Sequence, residues 1–226
     1  MLSNYSSRKK YIFVTTSLIN VPEFKKREAQ YNHCIQNLIN LNLHKKYKII
    51  IIENNGKRST IFDRYSKFEN ISIFYTNNNS YNNNKLLDKN PNYGIVEFMD
   101  LIDCIKDYNI NDNDFIVKLS GRYYLHDDNQ FFKIVDNLDS KYNCVIKYGP
   151  YFLPIDNRCN DCVTGLIGYT AFYLKQIYPN IINSLKLKTC VEHIWADSSI
   201  PEEEIYIIKG LIGIYISPIN TEYNLI

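Results

Sequence analysis

Glycine is sparse in this chain, 8 of 226 residues, and none of them builds a phosphate-binding loop. The first apolar run ends in Thr15-Thr16-Ser17 with no G-x-G-x-x-G turn after it, and no P-loop motif occurs anywhere. NAD-binding and ATP-binding folds of those types are thereby disfavoured. An excess of one charge is also missing. Lys and Arg number 26 against 24 Asp and Glu, a formal balance of +2, so nothing global argues for nucleic acid or a membrane surface. The basic runs Arg8-Lys9-Lys10 and Lys45-Lys46 are short and read as solvated ends of elements. No apolar run reaches the roughly 18 residues of a membrane span. The opening MLSNYSSRKKYIFVTTSL has a polar head and an apolar part that reads as a strand, so no signal peptide is expected. The 6 cysteines (Cys34, Cys104, Cys144, Cys159, Cys162, Cys190) are scattered, which suits a reduced cytoplasmic protein.

What is present suits one globular domain. The chain is 45% apolar and 22% charged, and 226 residues suffice for a sizeable core. Residues 11–19, YIFVTTSLI, predict a strand. Over 23–43, Phe24, Tyr31, Cys34, Ile35, Leu38, Ile39 and Leu41 recur at helical spacing. YKIIIIE at 47–53 is the strongest strand signal, and its unbroken Ile run implies burial on both faces, as in a parallel sheet. A short helix over 59–67, a strand over 71–76, a polar Asn-rich loop over 77–94 and an amphipathic helix over 94–107 follow. A fourth strand over 114–119 ends the regular part. Beyond it, helices are expected at 129–138, 170–178 and 188–198, and strands at 143–148, 163–169 and within 204–217. The alternation in the first 120 residues predicts a mainly parallel sheet with helices on both faces and a mixed second half.

In an open α/β sheet, ligands bind beyond the carboxyl ends of the strands. Those ends are Thr15-Thr16-Ser17, Glu53-Asn54-Asn55, Asn77-Asn78 and Ser120-Gly121-Arg122, all polar and short. Turn chemistry explains each of them singly; four on one rim carry more weight. Glu53 or Asn54 could meet a ribose or base edge, or Glu53 could only cap its turn. Arg122 offers paired donors suited to phosphate or carboxylate oxygens, with Gly121 allowing close backbone approach. The alternative is an Arg paired to a nearby carboxylate, with Tyr123 and Tyr124 in the core.

Several segments resemble small GT-A-type glycosyltransferases of bacterial polysaccharide clusters and large DNA viruses. They are YIFVTTSL, Arg27 and Gln30-Tyr31 in RxxQY, YKIIIIENNG, IFYTNNN, NYGIVEFMDLI and DFIVKLSGRYYL. The similarity covers about residues 11–150 and more faintly 188–216. It implies a single Rossmann-like GT-A domain, with a nucleotide-binding half at about 11–125 and an acceptor-binding half at about 126–226. It further implies a nucleotide-diphosphate sugar donor and a glycan or other hydroxyl acceptor, in the cytoplasm, or the host cytoplasm for a viral chain. Such enzymes carry Asp-x-Asp at the fourth strand end for a divalent metal on the diphosphate; here Ser120-Gly121-Arg122 stands there. An Arg would supply the charge itself, which leaves no cofactor certain. Asp127-Asp128 could still hold Mg²⁺ or Mn²⁺, or could cap the helix before Gln130.

On this reading Thr15, Thr16, Glu53, Asn54 and Asn77 contact the nucleoside, while Lys118, Gly121 and Arg122 hold the diphosphate. Tyr123 stacks on or bonds to the sugar. In CVEHIWADSS, Glu192 is the expected general base, with Asp197 second. Trp195 offers a platform for a sugar ring, with His193 beside it, or is the one buried residue of a surface helix; Asp161 and Thr164 would line the acceptor side. Cys159-Asn-Asp-Cys162 has the C-x-x-C form but lacks the second pair that a zinc site needs. Rival readings are a GT-A-like binding module without catalysis and an S-adenosylmethionine-dependent methyltransferase, the latter disfavoured by the missing glycine turn.

Overall fold

A computed structural model describes residues 8–18, 23–54, 56, 59–79, 93–127, 129–149, 157–184, 191–196, 200–210 and 212–216. The Asn-rich stretch expected as a loop lies mostly outside them. Four strands, β1 (Lys10–Thr16), β2 (Lys48–Glu53), β3 (Ile71–Tyr75) and β4 (Phe115–Ser120), pair in parallel in the order β3-β2-β1-β4. Helices α1 (Phe24–Asn40) and α2 (Tyr93–Asp107) and a 3-10 segment at Ile61–Lys67 connect them. Beyond β4 come β5 (Tyr123–Leu125), α3 (Gln130–Asp136), β6 (Cys144–Ile146), β7 (Leu166–Thr170), α4 (Ala171–Ser184), α5 (Val191–Ala196), β8 (Ile205–Ile207) and β9 (Ile214–Ile216). The sheet continues β4-β7-β6-β8, with β7 antiparallel to β4 and β6 antiparallel to β7. Both halves of the chain therefore share one sheet.

Strand periodicity divides the core. Ile49 and Ile51 pack on one face with Tyr31, Ile35 and Leu38 of α1 and Phe131 and Val135 of α3. Ile50 and Ile52 pack on the other with Phe98, Leu101 and Ile105 of α2 and Leu174 of α4. The unbroken Ile run is the consequence of cover on both faces. The second sheet is a short antiparallel pair, β5 with β9, which no sequence pattern foretold. Asn37 on α1 completes its edge: Leu125 N donates to Asn37 Oδ1 at 2.8 Å, and Asn37 Nδ2 donates to the Leu125 carbonyl at 3.1 Å. Asn129, not Asp127 or Asp128, caps α3, its side chain accepting from Phe132 N at 3.3 Å. Among the described residues no helix is long and apolar enough to cross a membrane.

The β4–β7 seam leaves no space at Gly168. A Cβ there would sit 2.6 Å from Cε1 of Phe115, a fully buried ring. Gly168→Ala is expected to destabilise the protein by about 1–3 kcal/mol through overpacking. Chemical denaturation at constant m-value checks this.

Candidate active site at the strand tips

The pairing register aligns the four parallel tips. Thr16 lies opposite Glu53, Glu53 opposite Tyr75, and Thr15 opposite Ser120. Because side chains alternate along a strand, this single rim carries two polar networks on opposite faces of the sheet.

On the α2 face, Lys118 occupies a position that would otherwise be core. It is 3% exposed, and its ammonium meets Glu97 Oε2 at 2.9 Å and the Thr164 carbonyl at 2.6 Å. Thr15 donates its hydroxyl to the other carboxylate oxygen of Glu97. The Thr164 hydroxyl donates in turn to Glu192 Oε1 at 3.5 Å. A chain Thr15–Glu97–Lys118–Thr164–Glu192 thus runs from the β1 tip to α5. Lys118 was expected on the diphosphate or paired elsewhere; here its charge is compensated by Glu97. Glu97 was not foreseen. Its signal was a carboxylate on α2, next to the inward Phe98, paired with a lysine inside an otherwise apolar strand.

Beside that chain, Asp100 of α2 gathers the β2 and β3 tips. It accepts from Asn54 Nδ2 at 2.8 Å, Thr76 Oγ1 at 2.5 Å and Asn78 Nδ2 at 2.8 Å. Burial pushes its carboxyl up to about 7 against these three donors. Asn54 is therefore a brace between elements, and Asn77 is the exposed residue of the β3 tip.

On the α1 face, Glu53 is fully buried. Its carboxylate accepts from Thr16 Oγ1 at 2.6 Å and Leu18 N at 3.0 Å, which ties β1 to β2 and turns it away from a ribose. Gly121 serves packing, not ligand approach. A Cβ there would lie 2.8 Å from Tyr31 Cδ1 and 3.0 Å from the Thr15 carbonyl. Tyr123 is buried with its ring edge against Gly165, so it is not presented for stacking on a sugar. Arg122, between these two packed residues, is exposed, its guanidinium 5.8 Å from the Tyr123 ring centroid.

In the acceptor half, Glu192 is half-buried and His193 exposed. Trp195 is 2% exposed and packs against Phe98 at 4.9 Å and Tyr169 at 5.1 Å between ring centroids, so it stands in the core. Asp161 caps its own loop, accepting from Cys162 N at 2.9 Å. Cys159 and Cys162 are free thiols, and burial holds the Cys162 thiol well above its ordinary range, which suits neither redox nor metal chemistry. Asp197 and Asp128 lie outside the described residues, and Asp127 is exposed.

A divalent cation on a diphosphate takes oxygen ligands from the protein, usually one or two carboxylates. At the β4 tip, Ser120 N donates to the Gly165 carbonyl, Gly121 N donates to the Thr15 carbonyl, and the next side chain is a cation. Among the described residues no group of three His, Cys, Asp or Glu could hold a metal. The chain's one Asp-x-Asp, Asp112-Asn113-Asp114, sits at the opposite end of β4, where Asp114 accepts from Lys9 N and Asn111 N. The residues of this tip do not fit a divalent cation.

The sheet order and its mixed second half define a GT-A-like fold. Among solved structures the chain is similar to a glycosyltransferase involved in glycosylation of the major capsid of PBCV-1, with TM-score 0.50 and 8% identity over 88% of this chain and 81% of that one. It is similar to mouse xyloside xylosyltransferase 1, with TM-score 0.53 and 10% identity over 94% and 99%. It is also similar to S. aureus TarS 1-349 in complex with UDP-GlcNAc, with TM-score 0.52 and 11% identity over 95% of this chain and 60% of that one. No family model and no curated protein matches the sequence. The likeness establishes the fold; the roles of residues rest on the geometry above.

Two outcomes follow. Glu97→Gln leaves a buried ammonium without a counter-charge and is expected to cost about 3 kcal/mol, while Glu97→Gln with Lys118→Met recovers most of it. Urea denaturation of these two variants and of Lys118→Met alone measures the coupling. For Asp100, the folded state holds its proton up to about pH 7 and the unfolded chain releases it near 3.8. Its contribution is fully present below that lower value and is lost as pH rises through about 7, at up to about 1.4 kcal/mol per pH unit. Asp100→Asn should flatten this fall in a pH series of melts.

Proposed function

We propose that the chain is a glycosyltransferase that moves a sugar from a nucleotide-diphosphate donor to a hydroxyl acceptor. The observation that carries the reading is the exposed Arg122 guanidinium, just beyond the tip of β4 on the rim where four parallel strands end. The likeness to TarS in complex with UDP-GlcNAc supports a nucleotide-sugar donor.

Transfer breaks the bond between the anomeric carbon and the diphosphate oxygen and joins that carbon to the acceptor oxygen. Charge accumulates on the departing diphosphate, where a fixed guanidinium stabilises it without reorganising. The acceptor proton goes to a carboxylate, and Glu192 is our assignment. It is half-buried and joined through Thr164 to the buried lysine of the donor half, so its position is tied to the rim. Thr15 and exposed Asn77 meet the nucleoside, and exposed His193 meets the acceptor alongside Thr164. We assign the positive charge on the diphosphate to Arg122 and not to a metal ion.

A thermal-shift panel of UDP-, GDP- and CMP-sugars, with S-adenosylmethionine as control, tests the donor class. Stabilisation by at least one nucleotide sugar is expected, and stabilisation by none overturns the reading. With the donor so found, Glu192→Gln is expected to lower turnover about 10²–10⁴-fold while leaving donor binding intact. Turnover is expected to persist in EDTA; its loss there would reassign the charge to a metal at Asp127 and Asp128.

A further inference from the structure

Resting on the transferase reading, we infer that Arg27 and Arg122 together form a two-guanidinium clamp for the donor diphosphate, with Lys118 taking no part. Some of the positive charge at the rim is already compensated. Lys118 is held by Glu97 and by the Thr164 carbonyl inside the α2 face. Arg122 is exposed, and no carboxylate among the described residues pairs with it.

Arg27 completes the cluster through Tyr31. Both stand on α1, four residues apart, hence on one face of the helix. The Tyr31 ring fills the space over Gly121, the residue immediately before Arg122. Its hydroxyl donates to the Ser17 carbonyl at 3.2 Å, which fixes the ring at the β1 tip. Arg27 therefore lies one helical turn from a ring wedged against the residue next to Arg122. It is half-buried and makes no ion pair with any described residue; the nearby Glu23 is bonded to Lys26 at 3.1 Å instead.

The electrostatics agree with this placement. Burial lowers the Arg27 guanidinium from its ordinary value, and the charge of Arg122 is the next cause. The Tyr31 hydroxyl, raised chiefly by burial, feels both arginines. Two like charges left facing each other repel, and a multivalent anion between them turns repulsion into attraction. Guanidinium forks match phosphate oxygens in pairs, so two of them suit a diphosphate better than a single phosphate.

Inorganic pyrophosphate is the probe, because it carries no base or sugar and its binding is read by calorimetry in EDTA. Wild type is expected to bind it more tightly than orthophosphate. Arg27→Gln and Arg122→Gln are each expected to weaken pyrophosphate about tenfold, and Arg27→Lys less than Arg27→Gln. Lys25→Gln, which removes an exposed cation from the same helix, controls for net charge and should change little. If Arg27→Gln binds pyrophosphate as wild type does, or if Lys25→Gln weakens it equally, the clamp is wrong. The donor panel separates the two ideas. Pyrophosphate binding lost in Arg27→Gln with no nucleotide sugar bound by wild type keeps the anion clamp and sinks the transferase. A donor turned over equally well by wild type and Arg27→Gln keeps the transferase and sinks the clamp.

Discussion

A lysine ammonium that is 3% exposed in the middle of a sheet face persists only with a counter-charge, and Glu97 supplies it to Lys118. Taking such an ion out of water costs several kcal/mol, repaid only by close partners. That constraint orders the rim. It holds α2 over β4 and fixes the loop before β7 through the Thr164 carbonyl. Through the Thr164 hydroxyl it ties the Glu192 carboxylate of α5 to the same assembly. Hydrogen bonds from Lys118 and Ser120 to the loop before β7 join the two halves of the chain at the strand tips.

The compensated pair also decides which charges remain for a ligand. With Lys118 neutralised, Glu53 turned into the β1–β2 seam and Asp100 absorbed by Asn54, Thr76 and Asn78, most polar residues of the rim brace it. Such bracing is what a preorganised electrostatic site requires. Among the described residues, Arg122 and Arg27 stand near the rim with no ion pair, and Glu192 lies on the side of the second half. The site is rigid where it is buried and charged where it is open.

Much of the fold was legible beforehand. The Ile run of β2, the helical spacing of α1 and α2 and the polar tips of four strands are local patterns, and local patterns survive folding because burial follows from period. The mixed second half was legible as well, and β7 turns the sheet antiparallel there; the β5–β9 pair was not, since three-residue strands carry no period. Site roles fared worse than elements. Trp195 and Tyr123 looked like ligand surfaces because aromatics serve both core and recognition; their neighbours Phe98 and Gly165 come from distant segments.

By itself the sequence determined the alternation of elements and the rim on which polar tips gather, for both are consequences of side-chain period and strand direction. It also determined that a guanidinium stands just beyond β4. Only tertiary structure decided which of the rim's charged groups face one another. Glu97 is 21 residues before Lys118, and Arg27 is 95 before Arg122. Charges interact by distance in space, and a linear chain does not encode that distance until packing brings the groups together.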